Sequence, residues 1–203
     1  MRRLLWSIGG DDQSDEVAMN DFSDFQREIA DAARATFRAL RSHHADEHFY
    51  AFALMTDSGA MTVLPAANSI EALSRAGSIA PIDGVEYVPQ RAPQQMWRVT
   101  EWAYASAHAS PFNEICGKLA DEVLSPQFAR SRLVEFSRKL HADMIDALRL
   151  LDRDGFFGTG EERARVTLFV SISDDDAAAT LENDSARILN PPAVFERFLR
   201  RGA

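Results

Sequence analysis

Glu47-His48-Phe49-Tyr50-Ala51-Phe52-Ala53-Leu54 is the stretch that decides the fold of this chain. Six of the eight residues are apolar or aromatic. Successive side chains of a strand face opposite sides, so Phe49, Ala51 and Ala53 are expected on one face and Tyr50, Phe52 and Leu54 on the other. A strand that is apolar on both faces sits inside a sheet covered on both sides. The strand over 48–56 is therefore the expected centre of the core, with Phe52 almost fully buried.

Upstream, Phe22, Phe25, Ile29, Ala33, Phe37 and Leu40 recur at helical spacing. They predict one amphipathic helix from about Asp21 to Ser42, capped by Asn20 or Asp21. Residues 1–20 read as a flexible leader and 21–203 as a single domain. Downstream, Asp57-Ser58-Gly59 turns the chain, and Met61 to Leu64 return as a short antiparallel strand that Pro65 should end. Asn68 with Glu71 has the spacing of a capping box opening a short helix. The glycines and prolines of 77–95 make an irregular connection. Trp97 to Tyr104 has mixed propensity. A helix follows at about 112–124, and Ser125-Pro126 opens a long one to Leu151, with Leu133, Phe136, Leu140, Met144 and Leu148 on its buried face. Val166, Leu168, Val170 and Ile172 alternate with polar residues over Arg165–Ser173, the pattern of a half-buried antiparallel strand. Asn190-Pro191-Pro192 leads into a short terminal helix. Helices and strands mix without regular alternation, so the expected class is α+β: a small, mainly antiparallel sheet flanked by helices.

The 203 residues carry 22 basic and 31 acidic side chains, a net charge of -9. That disfavours nonspecific binding to nucleic acid or an anionic membrane and suits a basic protein partner. No apolar run approaches the length of a spanning helix, and the start lacks the apolar core of a signal peptide. With its single cysteine, Cys116, the chain can form no intrachain disulfide or multi-cysteine zinc site, and a cytoplasmic location is expected.

Candidate chemistry is sparse. His43, His44, Asp46, Glu47 and His48 are the densest set of possible ligands, but they straddle a helix end and a strand, so no metal or cofactor is expected. Asp152-Arg153-Asp154-Gly155 lacks the glycine and glutamate of a calcium loop and reads as a helix stop. Gly158-Thr159-Gly160 precedes a strand, the wrong order for a dinucleotide fingerprint. Cys116 has no base selected by spacing, and no nucleophile elbow occurs. Trp97, Glu101, Trp102 and Tyr104, with Glu47 and His48, remain as candidate binding residues, since Trp and Tyr are common interface anchors.

Several segments together resemble an uncharacterised bacterial family, domain-of-unknown-function family 4303. They are the 47–54 strand, Asn68-Ser69-Ile70-Glu71, Trp97-Arg98, Glu101-Trp102-Ala103-Tyr104, Leu151-Asp152 with Gly155 and Phe157-Gly158, and Leu189-Asn190-Pro191-Pro192. The similarity spans roughly Phe22 to Phe198. It implies a soluble single domain and brings no catalytic residues. Similar small acidic domains are associated with toxin–immunity loci. The resulting expectation is a non-catalytic interaction module, with immunity-type binding of a basic toxin domain as its particular form. The alternative is a small hydrolase or nucleotide-handling enzyme using Glu47, His48 and Asp154.

Overall fold

The computed structural model describes residues 24–76, 96–173 and 177–202. The leader, the 77–95 connection and residues 174–176 lie outside the described residues. Helix α1 (Gln26–His43) forms on the expected stripe: Ile29, Ala33, Phe37 and Leu40 are all buried. Its first turn is tied down twice. The Asp24 carboxylate accepts from the Gln26 N–H at 3.1 Å, and Asp143, far along the chain, accepts from the Phe25 N–H at 3.2 Å. Asp143 is buried in this role, satisfying the Phe25 N–H at the helix end.

Strand β1 (Phe49–Asp57) is central in a three-stranded sheet of order β2-β1-β3. Strand β2 (Leu64–Ser69) pairs antiparallel with it through a turn held by the Asp57 carboxylate, which accepts from the Gly59 and Met61 N–H groups and the Thr62 hydroxyl. Pro65 does not end pairing as expected. It sits opposite Leu54 within β2, and its carbonyl accepts from the Ser106 N–H at 2.8 Å, so the side of Pro65 without a donor faces away from β1. Residues 104–106 thereby run along the outer edge of β2. The capping box is also corrected. Asn68 is a buried strand residue, helix α2 (Ile70–Ala76) starts one turn position later, and the Ser69 hydroxyl accepts from the Ala72 N–H at 2.9 Å.

The Asn113–Val123 helix (α3) lies within the expected segment, whereas α4 (Leu133–Arg153) begins after a single-turn helix at Arg130–Arg132, not at Ser125-Pro126. Phe136, Leu140, Met144 and Leu148 are buried as expected. A short helix, α5 (Gly160–Ala164), precedes β3 (Thr167–Ser173), which pairs parallel to β1. The antiparallel reading of this strand fails because its polar members are small hydroxyls that find partners indoors: Ser171 donates to Glu182 at 2.7 Å, and Thr167 is fully buried. Thr167 to Ser171 are all buried, the condition of a strand covered on both faces.

Two apolar layers cover the sheet. Phe52, Leu54, Leu168 and Val170 pack with α1 and α4. Tyr50, Ala51, Ala53, Met55 and Phe169 pack with Val99, Trp102 and α7 (Pro192–Leu199) through Phe198. Between β3 and α7 runs α6 (Ala178–Leu189), a helix the sequence reading did not assign. It covers the open edge of β3. The Ser185 hydroxyl accepts from the Val170 N–H at 2.9 Å. The Asn190 amide accepts from the Leu168 N–H at 2.9 Å and donates to the Leu168 carbonyl at 2.6 Å, standing in for a neighbouring strand. The architecture is the expected α+β domain, a small mixed open sheet flanked by helices.

Candidate functional site

The register of β1 against β2 shifts between Phe49 and Ala51. This irregularity breaks the strict alternation: Phe49 joins the layer of Phe52 and Leu54, and Tyr50 joins that of Ala51. Both Phe49 and Tyr50 consequently border a cleft of about 600 Å³ where β1 and β3 begin and α2 starts. Sequence-expected residues Glu47, His48 and Trp97 line it, together with His44, Ile70 and Met96. Arg41, Glu162, Arg165, Thr167 and Arg197 complete most of the remaining wall.

Glu47 is the best-connected side chain at this site. Its carboxylate is 5% exposed and receives the Ser69 hydroxyl, the Tyr104 hydroxyl at 2.7 Å and the Arg75 guanidinium at 2.6 Å. Burial alone would push its pKa up, but those donors prevail and hold it at about 2. Arg75 also donates to the Tyr104 oxygen at 3.1 Å, and the His44 Nδ1 lies 3.2 Å from that oxygen. The network joins the α1–β1 turn, the start of α2 and the 104–106 segment. His48 is separate: its backbone N–H donates to Glu71 at 2.8 Å, and its Nδ1 lies 2.7 Å from the same carboxylate. The His48 side chain lowers the Glu71 pKa against the opposing effect of burial.

The other candidates disperse. Trp102 is buried, its indole N–H donating to the Met96 carbonyl at 3.0 Å, and Tyr104 is buried in the Glu47 network. Glu101 is exposed and paired with Arg98 at 2.9 Å. Asp154 is ion-paired with Arg34 and does not line the cleft. Trp97, half-buried, stands edge-on to Tyr50 and Phe198 and is the member of the aromatic segment that reaches the cleft.

Sequence reasoning missed the cleft's cations. Arg41 donates to the Phe156 carbonyl at 2.7 Å and lies over the Phe52 ring at 5.2 Å from its centroid. Burial pushes its pKa down, opposed by the nearby Glu162 charge. Arg197 makes long contacts to the Ala164 carbonyl, the Arg165 carbonyl and the Thr167 hydroxyl at 3.3, 3.5 and 3.4 Å, and burial lowers its pKa. Arg165 is exposed. The three residues come from α1, the lead-in to β3, and α7, so no local spacing joins them. Among the described residues, no group of three or more His, Cys, Asp or Glu could hold a metal ion, and no helix is long and apolar enough to cross a membrane.

Fold and site together define a single α+β domain with a small mixed sheet and an arginine-bordered cleft at one end of it. The chain belongs to the family described as Domain of unknown function (DUF4303), which matches residues 29–191. No curated protein and no solved structure matches it. The match takes in Glu47, Trp97 and Arg165 and ends before Arg197.

Proposed function

We propose that this protein is a non-catalytic binding module that takes its ligand in the cleft at the start of β1 and β3. The observation that carries this reading is the state of Glu47. Its carboxylate is buried against three donors and held at a pKa of about 2, so at neutral pH it has no proton to give and its charge is balanced by Arg75. The other two groups of the enzyme alternative have separate partners, His48 with Glu71 and Asp154 with Arg34. What remains is a cavity of about 600 Å³, within the roughly 300–1,000 Å³ of small-molecule sites.

Immunity-type capture of a basic toxin domain would be a second interaction, on another surface, that the net charge of -9 motivates, with acidic groups speeding encounter. Such a partner would dock outside the cleft, whose wall is rich in arginine, and the buried Trp102 and Tyr104 rings would not anchor it. The binding reading is tested by titrating purified protein with a mixed-charge fragment set and following the Trp97 indole N–H signal by NMR. Ligands should shift that signal and be recovered unchanged. Chemical turnover of a cleft ligand, or binding confined to other surfaces, would refute the reading.

A further inference from the structure

We infer that the cleft binds a phosphate monoester carried on a flat ring, a ligand of the nucleoside phosphate class, with the phosphate among Arg41, Arg165 and Arg197 and the ring beside Trp97. This rests on the reading of the cleft as the binding site and adds the chemistry of its occupant. In a chain of net charge -9, three arginines line the cleft. Two carboxylates face them. Glu47 is already neutralised by Arg75 at 2.6 Å, leaving Glu162 as the carboxylate that offsets the arginines. Among the described residues, none of the three arginines forms a salt bridge. Arg41 and Arg197 donate to backbone carbonyls and a hydroxyl instead.

Each guanidinium carries more N–H donors than these contacts use, in a planar fork that matches an oxyanion. Arg41 and Arg197 are partly desolvated, which lowers their pKa and raises the cost of their charge, a cost that a bound anion would offset. Three guanidiniums against one available carboxylate leave an excess that a phosphate dianion balances and a monocarboxylate balances only in part. The lining also includes apolar side chains: Phe49, Ile70, Met96 and the half-buried Trp97. The Tyr50 hydroxyl donates to the Met96 carbonyl at 2.7 Å and accepts from Asn68 at 3.0 Å, so Tyr50 also presents its ring rather than a polar group. A ligand with an anionic group and a flat apolar ring matches both kinds of lining residue.

The probes are AMP, adenosine and inorganic phosphate, titrated calorimetrically into the whole protein and followed in parallel at the Trp97 indole N–H. AMP should bind in the cleft, adenosine at least tenfold more weakly, and phosphate should compete with AMP. Added salt should weaken AMP binding as it screens the arginines. Arg165→Glu should weaken AMP at least tenfold without moving the melting temperature, because the Arg165 side chain is exposed and, among the described residues, holds no other element. Arg197→Lys, which keeps the charge and loses the fork, should weaken AMP by a smaller factor. Equal affinity for AMP and adenosine, or AMP binding unaltered by Arg165→Glu, overturns the phosphate assignment. If a neutral or cationic fragment occupies the cleft while AMP does not, the anion assignment falls and the binding module stands. If no ligand of any charge enters the cleft, both fall.

Discussion

Replacing Glu47 by glutamine tests the network that positions the cleft. The carboxylate is held at about 2 against an ordinary 4.5, a difference worth about 3 kcal/mol at 1.36 kcal/mol per pH unit. The network opens onto solvent through Arg75, whose side chain is 59% exposed, so screening reduces that figure to about 2 kcal/mol. Glutamine keeps the shape, loses the charge opposite Arg75, and turns an amide N–H₂ toward groups that are themselves donors. We expect Glu47→Gln to lower stability by about 2 kcal/mol at pH 7, a fall in Tm of roughly 4–8 °C for a chain of this size. The pH dependence has a definite sign. The folded-state pKa is depressed, so the stabilisation is fully present above about 4.5 and is lost as pH falls toward 2. Urea unfolding of both proteins at pH 7, 5 and 3.5 should show a constant gap at the first two and a gap narrower by roughly 1 kcal/mol at the third. A variant as stable as the wild type at pH 7, or a gap indifferent to pH, would refute the account of Glu47.

Phe52 lies fully buried among Phe37, Phe49 and Phe157, at centroid distances of 4.9, 5.5 and 5.2 Å; Phe52→Ala should cost about 3–5 kcal/mol in chemical denaturation, and Phe52→Asp should yield no soluble protein. Arg163 is buried, ion-paired with Asp152 and bonded to the Val166 and Leu189 carbonyls at 2.6 and 2.8 Å. Arg163→Ala should cost about 2–3 kcal/mol by leaving the Val166 and Leu189 carbonyls without their donor and Asp152 without its partner, and Arg163→Lys should recover only part of it, measured by the same titration. Asn190→Ala removes the two bonds that close the β3 edge at Leu168 and should cost about 2 kcal/mol. The uncovered edge should also show as concentration-dependent association beyond that of the wild type in sedimentation, and unaltered association would argue against the edge role.

The helical stripe of α1 and the doubly apolar run of β1 were legible because burial there follows local periodicity, and Phe52 lies where that periodicity puts it. Tyr50 was misplaced, since one register shift at the start of β1 leaves no mark in the pattern of apolar residues. Strand β3 was legible as a strand but not as a parallel one. Thr167 and Ser171 read as solvent-facing until Arg197 and Glu182 are seen beside them. Helix α6 escaped because its buried face rests on Ser185, Ala186 and Leu189, a weak apolar signal, and because its task is to hydrogen-bond a strand edge.

The candidate site divides in the same way. Glu47, His48 and Trp97 were chosen from sequence and do border the cleft, because they flank the two clearest landmarks, the central strand and the aromatic segment. Arg41, Arg165 and Arg197 were not, although all three are plain in the sequence. The local sequence by itself determined the core strand, the main helices and the α+β class, since these follow from which side chains can reach one face of one element. Only the tertiary structure decided the parallel pairing of β3, the burial of Glu47 and the gathering of three arginines in one cleft. Those depend on distances between residues far apart in the chain, which spacing along the backbone does not encode.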